Sequence, residues 1–408
     1  DPGCQGLMPQ NRRALLPQGQ KALMPFAALS ASYFAHIGFF NPYLPLWLKD
    51  LGLGLVAISV LTSVQAATRL FAPYIWGWVS DHTGERVKLL RWSAAVALLC
   101  SLGLGWQGGL AWLAVVLLLM FTHTSSMMPM SEAAMAHLVS QGGAFDTRRY
   151  GRIRLWGSIG FLVTVFLAGA WFESHGMQHF PAWTWVTLLA VNLSVWLMPN
   201  VREAVQTEGS HPPVWPVLTQ SHNLWFFVTL FFHVLSHICI YVFFSLYLDS
   251  LGYSKLMIGV LWAVSVVVEI LGFYTQSRWL HHFTLAGWLL LCSVVMVVRM
   301  GITNWGATSL GWLVLAQSLH AVTFAVHHTV CIAWLSRHFP ERLRGRGQAL
   351  YSVIGYGLPG FLGATGGAAL SARWGLEVVY AVSIPIAALA VLCALGLKRS
   401  LQRSPVHA

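Results

Sequence analysis

A chain of 408 residues that is 56 % hydrophobic and only 9 % charged holds far more apolar side chains than a soluble core of this size can bury. Its net charge of +11 could suggest a nucleic-acid partner, but 19 of the 24 Lys and Arg fall on one side of the apolar runs, at loops or span ends. Lys49, Lys255 and Arg373 fall on the other side and Arg69 and Arg299 lie within runs, so the basic balance is a topology signal that argues against a nucleic-acid surface and puts both termini in the cytoplasm.

Apolar stretches recur from residue 23 to residue 397, each long enough to cross about 30 Å of hydrocarbon. Continuous runs select helices over barrel strands. Twelve spans are predicted, over 23–46, 56–78, 88–105, 109–136, 153–172, 183–200, 222–248, 256–277, 284–304, 308–335, 347–370 and 376–397. Residues 1–22 carry no signal-peptide pattern and read as a cytoplasmic tail, with a start at Met8 or Met24 as the alternative. Residues 201–221 are the longest polar interruption and read as a cytoplasmic linker between six-helix halves 23–200 and 222–397; 398–408 is a second tail. Leu-Trp-Leu-Lys-Asp-Leu-Gly at 46–52 aligns with Leu-Tyr-Leu-Asp-Ser-Leu-Gly at 246–252, an offset of 200 that suits a duplicated half. The expected fold is therefore all-α integral membrane, in two pseudo-symmetric six-helix halves. Cys100, Cys239, Cys292, Cys331 and Cys393 lie in spans and none forms a C-x-x-C pair, so neither disulfides nor a metal site is expected.

Ionisable groups inside apolar runs are the informative residues, since each costs about 2.5–3.5 kcal/mol at mid-bilayer and such groups usually line a pathway. Glu132 and Arg154 form one acid–base set; Glu269 and Arg299, with His320, form another. At about 1.5 Å per residue, Glu269 and His320 lie at similar depths and can be neighbours, whereas Arg299 starts nearer the outer end of its span and must reach inward. Arg69 shows no acidic partner and is open to two readings, an anion contact or a bond to backbone carbonyls. His36, His237, His327 and His328 can reach a cavity or be packed in the core. Phe34, Phe40 and Trp156 are candidates for stacking on an aromatic solute, among 20 Trp and 22 Phe that mostly form interface belts and packing.

The loop Gly77-Trp-Val-Ser-Asp81-His-Thr-Gly84-Glu-Arg86 resembles the major facilitator loop pattern, with His82 and Glu85 departing from its basic positions. Here Gly77 is expected to permit close helix approach and Gly84 to make the turn. Asp81 would face a helix N-terminus of the partner half, and with Arg86 the segment would serve gating. The string Tyr150-Gly-Arg-Ile-Arg154-Leu-Trp156-Gly157-Ser158, with Glu269, Arg299, Leu-His320-Ala-Val-Thr-Phe and Gln348-Ala-Leu-Tyr351-Ser, closely resembles the phenylpropionate permease family, a branch of the major facilitator superfamily related to lactose permease.

That resemblance runs from about residue 25 to 397 and implies twelve helices, alternating access and proton symport. It puts Glu132 and Arg154 at solute-contacting positions, joined in this reading by Arg69, Trp156, Phe34 and His237. It puts Glu269, Arg299 and His320 at the coupling cluster, with Glu269 as the proton carrier and His320, which titrates near neutrality, second. The expected function is proton-coupled import of a small organic solute, an aromatic carboxylate such as phenylpropionate, by a monomer in a bacterial inner membrane. No enzyme chemistry, cofactor or nucleic-acid partner is expected. The alternatives are a nucleoside or sugar symporter and a proton-driven exporter of the same fold. The fifth span, Gly157-Ser-Ile-Gly-Phe-Leu-Val-Thr164, lacks the Gly-Pro pair usual in exporters.

Overall fold

The computed structural model describes residues 15–106, 108–131, 147–200, 213–340 and 343–403. Among these residues every predicted span is helical and no strand occurs. The first half contributes α1 (Leu15–Asp50), α2 (Leu55–Thr83), α3 (Arg86–Ser101), α4 (Gly109–Thr124), α5 (Thr147–His175) and α6 (Phe180–Trp196). The second contributes α7 (Ser221–Ser250), α8 (Lys255–Thr275), α9 (Leu285–Gly306), α10 (Leu310–His338), α11 (Arg344–Ser352 continued by Leu358–Trp374) and α12 (Glu377–Arg403). Ten spans are long and apolar enough to cross a membrane. The other two are α6, with 17 residues, and α1, which carries Pro25, Pro42 and Pro45. Helix suits these sequences because every backbone group must be satisfied within its own segment when water is absent.

The sequence repeat is a backbone repeat as well. Leu51, Gly52 and Leu53 donate to the carbonyls of Trp47, Lys49 and Leu48; Leu251, Gly252 and Tyr253 donate to those of Tyr247, Asp249 and Leu248. Gly52 at φ 83° and Gly252 at φ 85° supply the left-handed residue that this helix-ending turn requires. The face bearing these two turns is the turn end of the molecule; the opposite face, at Gly84 and residues 213–221, is the linker end.

The named contacts between the halves fall between mid-membrane and the turn end. Lys49 Nζ and Asp249 Oδ2, repeat-equivalent residues of α1 and α7, pair at 2.7 Å. Glu173 Oε2 accepts the Lys255 backbone N–H at 2.7 Å, a carboxylate of α5 at the N-terminus of α8 where the helix dipole favours it. The Tyr43 hydroxyl lies 3.1 Å from the carbonyls of Val165 and Lys255. At the α5–α8 crossing a Cβ on Gly259 would stand 2.7 Å from the Val165 carbonyl oxygen, so only glycine allows this approach.

Two helices of the second half are locally widened. A π-turn interrupts α10 at Ala321–Val326, directly after His320, and another interrupts α11 at Val353–Gly357. Such single turns rotate the side chains that follow and frequently occur at functional sites.

Candidate functional site

Arg299 is the centre of the second-half site. It projects from the middle of α9 and is 0 % exposed. Its Nη1 donates to Thr323 Oγ1 (2.8 Å, α10) and lies 3.1 Å from both His237 Nε2 (α7) and His320 Nδ1 (α10), and its Nη2 donates to Gln317 Oε1 (2.7 Å, α10). Gln317 in turn donates to the Leu261 carbonyl of α8 at 3.3 Å. Three helices are thus tied to one guanidinium, whose planar fork suits several acceptors at once.

The arrangement constrains proton positions. Arginine only donates and Nη1 carries two hydrogens, so whichever ring nitrogen it bonds must accept. When His320 Nδ1 is that acceptor, the ring proton sits on Nε2, which faces Glu269 Oε2 of α8 at 3.4 Å, a contact long for a hydrogen bond. Glu269 and Arg299 do not pair directly, as the sequence suggests; His320 stands between them. The physical reason is reach: both Nη groups are engaged by α7 and α10 and Nε has no partner among the described residues, while the carboxylate, with 20 % of its side chain exposed, sits outside that shell. Protonating His320 at Nδ1 would remove an acceptor of Arg299, and protonating Glu269 would remove the charge that attracts the His320 Nε2–H.

Gln317 and Thr323 are members of this network that the sequence reading missed. Their signal was present: with His320 they form an i, i+3, i+6 polar stripe on α10. His233 is a further member, donating from Nε2 to the Thr323 carbonyl at 2.8 Å within the π-turn and stacking on His327 at 3.7 Å. His237 is only 2 % exposed and turned wholly toward Arg299.

The other candidate residues are scattered. Glu132 lies outside the described residues, as does the Arg154 side chain, although residue 154 falls within α5. Arg69, in mid-α2, is exposed and has no hydrogen-bond or ion-pair partner among the described residues; the backbone-carbonyl bond is not made. Trp156 is 52 % exposed. Phe34 is half-buried, edge-on to Tyr33 at 5.4 Å. His36 is a core histidine, 1 % exposed and bonded through Nδ1 to Thr187 Oγ1 at 3.0 Å.

At the linker end, Gly84 at φ 65° terminates α2, its N–H bonded to the Ser80 carbonyl. Arg86 Nε donates to Ser80 Oγ at 2.9 Å. Gly77 departs from expectation: it lies inside α2 rather than at its end, and a Cβ there would meet nothing within 4 Å, so no close approach is made at Gly77 in this state. The Asp81 side chain is outside the described set. A cross-half pairing of a carboxylate with a helix N-terminus occurs at the turn end, through Glu173.

Residues 28–381 match the MFS_1 like family. The chain belongs to that family. It is a multi-pass membrane transporter of the major facilitator type, not an enzyme. It is 27 % identical over 331 residues to the probable 3-phenylpropionic acid transporter of Escherichia coli (strain K12), covering 80 % of this chain and 85 % of that one. It is 25 % identical over 352 residues to the maltose permease of Geobacillus stearothermophilus, covering 85 % and 87 %. The crystal structure of the nucleoside transporter NupG superposes with a TM-score of 0.78 over 93 % of this chain and 99 % of that chain, at 14 % identity, a likeness of fold.

Proposed function

We propose that this transporter is a proton-coupled symporter that imports a small organic solute, an aromatic carboxylate such as phenylpropionate, by alternating access of halves 23–200 and 222–397. The observation that carries the reading is the line Glu269–His320–Arg299: a partly exposed carboxylate, a histidine and a fully buried arginine in sequence, where protonating the ring at Nδ1 removes an acceptor of the arginine and protonating the carboxylate removes the charged partner of the ring. A structural ion pair would place acid and base in direct contact. Here a titratable ring separates them, which suits proton transfer better than mechanical support.

The likeness to a 3-phenylpropionic acid transporter supports the solute class. The Lys and Arg distribution supports a cytoplasmic linker end, and in this reading the protein is a monomer of a bacterial inner membrane whose halves meet at the turn end. Glu132 and Arg154 serve as solute contacts of the first half, and Asp81, Gly84 and Arg86 as a gating turn. A sugar symporter is the second reading, favoured by the likeness to a maltose permease.

The test is proton movement into proteoliposomes holding the purified protein and a pH dye, with phenylpropionate, other aromatic acids, nucleosides and sugars added in turn. Proton entry triggered by an aromatic acid and absent in Glu269→Gln is expected. Solute flux without any proton signal would sink the proposal.

A further inference from the structure

Two polar features between the halves take no part in the Arg299 network. The first is Arg69. It stands midway along α2, about 21 Å from either helix end at 1.5 Å per residue, too deep for its side chain to reach an interface. An exposed guanidinium at this depth, with no partner among the described residues, needs water or an anion. The second is a hydrogen-bonded line on α10 and α11: His328 Nδ1 lies 2.9 Å from the Tyr351 hydroxyl, which lies 3.0 Å from the Tyr356 hydroxyl. Residues five apart diverge by about 140° on an ideal α-helix; the π-turn at Val353–Gly357, with its i→i+5 closure, turns Tyr351 and Tyr356 onto one face.

The two features lie on packed helices of opposite halves. Leu70, next to Arg69, meets Gly357, next to Tyr356, so tightly that a Cβ on Gly357 would lie 2.4 Å from Leu70 Cδ2. Arg69 and Glu269 are both within Coulombic range of Tyr356 and of Tyr241. When His328 donates to Tyr351, and Tyr351 to Tyr356, the Tyr356 O–H is left free to donate into the space where Arg69 stands.

On the reading that the solute is a carboxylate, we propose that its anion is held across the two halves between the Arg69 guanidinium and the Tyr356 hydroxyl, with Tyr351 and His328 orienting that hydroxyl. The site also specifies coupling. A solute carboxylate there shares the cavity with the Glu269 carboxylate, and two like charges in one poorly solvated space are accommodated best when one is protonated. Anion and proton therefore bind together, each raising the affinity for the other. His320 and Arg299, on the far side of Glu269, set where that proton rests.

The experiment is binding of 3-phenylpropionate and of its neutral amide, 3-phenylpropionamide, to full-length protein in nanodiscs at several pH values. Wild type is compared with Arg69→Gln, Tyr356→Phe, Tyr351→Phe and Glu269→Gln, and unfolding temperature is recorded for each. Tyr356→Phe is expected to weaken acid binding by about tenfold or more while changing amide binding by less than about twofold, and Arg69→Gln to erase the preference for acid. Acid affinity should rise as pH falls in wild type and lose that dependence in Glu269→Gln. Wild type binding the acid with Arg69→Gln and Tyr356→Phe unchanged overturns this site and leaves the symport reading standing. Acid and amide weakened alike in Tyr356→Phe marks a structural tyrosine and also overturns it. Wild type binding no carboxylate at all overturns both.

Discussion

Arg299 shows how a buried charge is tolerated without a counter-ion in contact. Polar side chains of α7 and α10 replace the hydration of its two Nη groups, Nε is left without a partner among the described residues, and the Glu269 carboxylate lies beyond His320. Removing part of such a set leaves an uncompensated buried charge, which costs about 3–5 kcal/mol. Arg299→Lys keeps the charge but loses the fork, because an ammonium cannot address Gln317 and both imidazoles with the same geometry. We expect a fall of several degrees in the unfolding temperature in detergent; an unchanged value would mean the network is not structural. Glu269→Gln makes a different prediction, since the amide can still accept from His320 while carrying no titratable proton. Solute exchange should persist and solute accumulation driven by a pH gradient should fall by roughly 5–150-fold, the span of ordinary coupling energies. Loss of exchange and accumulation together would remove Glu269 from the coupling role.

At the scale of helices, small residues set how closely the halves meet. Gly259 on α8 lies against the Val165 carbonyl of α5, and Gly160 on α5 lies so close to α1 that a Cβ would fall 2.1 Å from the Ala31 carbonyl oxygen. The first contact joins the halves; the second is internal to one half. Gly259→Val should therefore wedge the turn end open at a cost of about 1–3 kcal/mol to the closed state, seen as faster labelling of a cysteine introduced near residue 254. Gly160→Val should instead destabilise the first half itself, lowering expression and unfolding temperature. Equal labelling of Gly259→Val and wild type would show that the α5–α8 crossing does not control access. The π-turn of α10 has an identifiable support in His233, whose ring N–H bonds the Thr323 carbonyl of that turn.

For the whole molecule, the turn end is closed by few polar contacts. The Lys49–Asp249 pair is exposed, and such pairs contribute about 0–1 kcal/mol; Glu173 at the α8 N-terminus adds about 0.3–1 kcal/mol. So few charged contacts suit the alternating access proposed above. Lys49→Ala combined with Glu173→Ala should shift the distribution between states by no more than about 2 kcal/mol, readable as a change in distance between spin labels across the turn end. A much larger shift would mean that these residues hold the state by contacts beyond those described.

The sequence by itself determined the helices, their approximate ends and the duplication. Each depends on local or strongly periodic information: apolar length against membrane thickness, glycine at a positive-φ turn, and a repeated heptapeptide. It also singled out Glu269, Arg299 and His320, because ionisable groups are expensive in hydrocarbon wherever they point. The tertiary structure alone decided which of them touch. Gln317 and Thr323 look like ordinary polar residues until the π-turn of α10 and the depth of α9 place them on one guanidinium. Likewise Tyr351 and Tyr356 share a face only because α11 is widened between them. Side-chain meetings depend on helix rotation and crossing distance, which are set by small-residue contacts such as Gly259 with Val165 and Gly357 with Leu70. Those contacts join residues far apart in the chain, and no spacing along it encodes them.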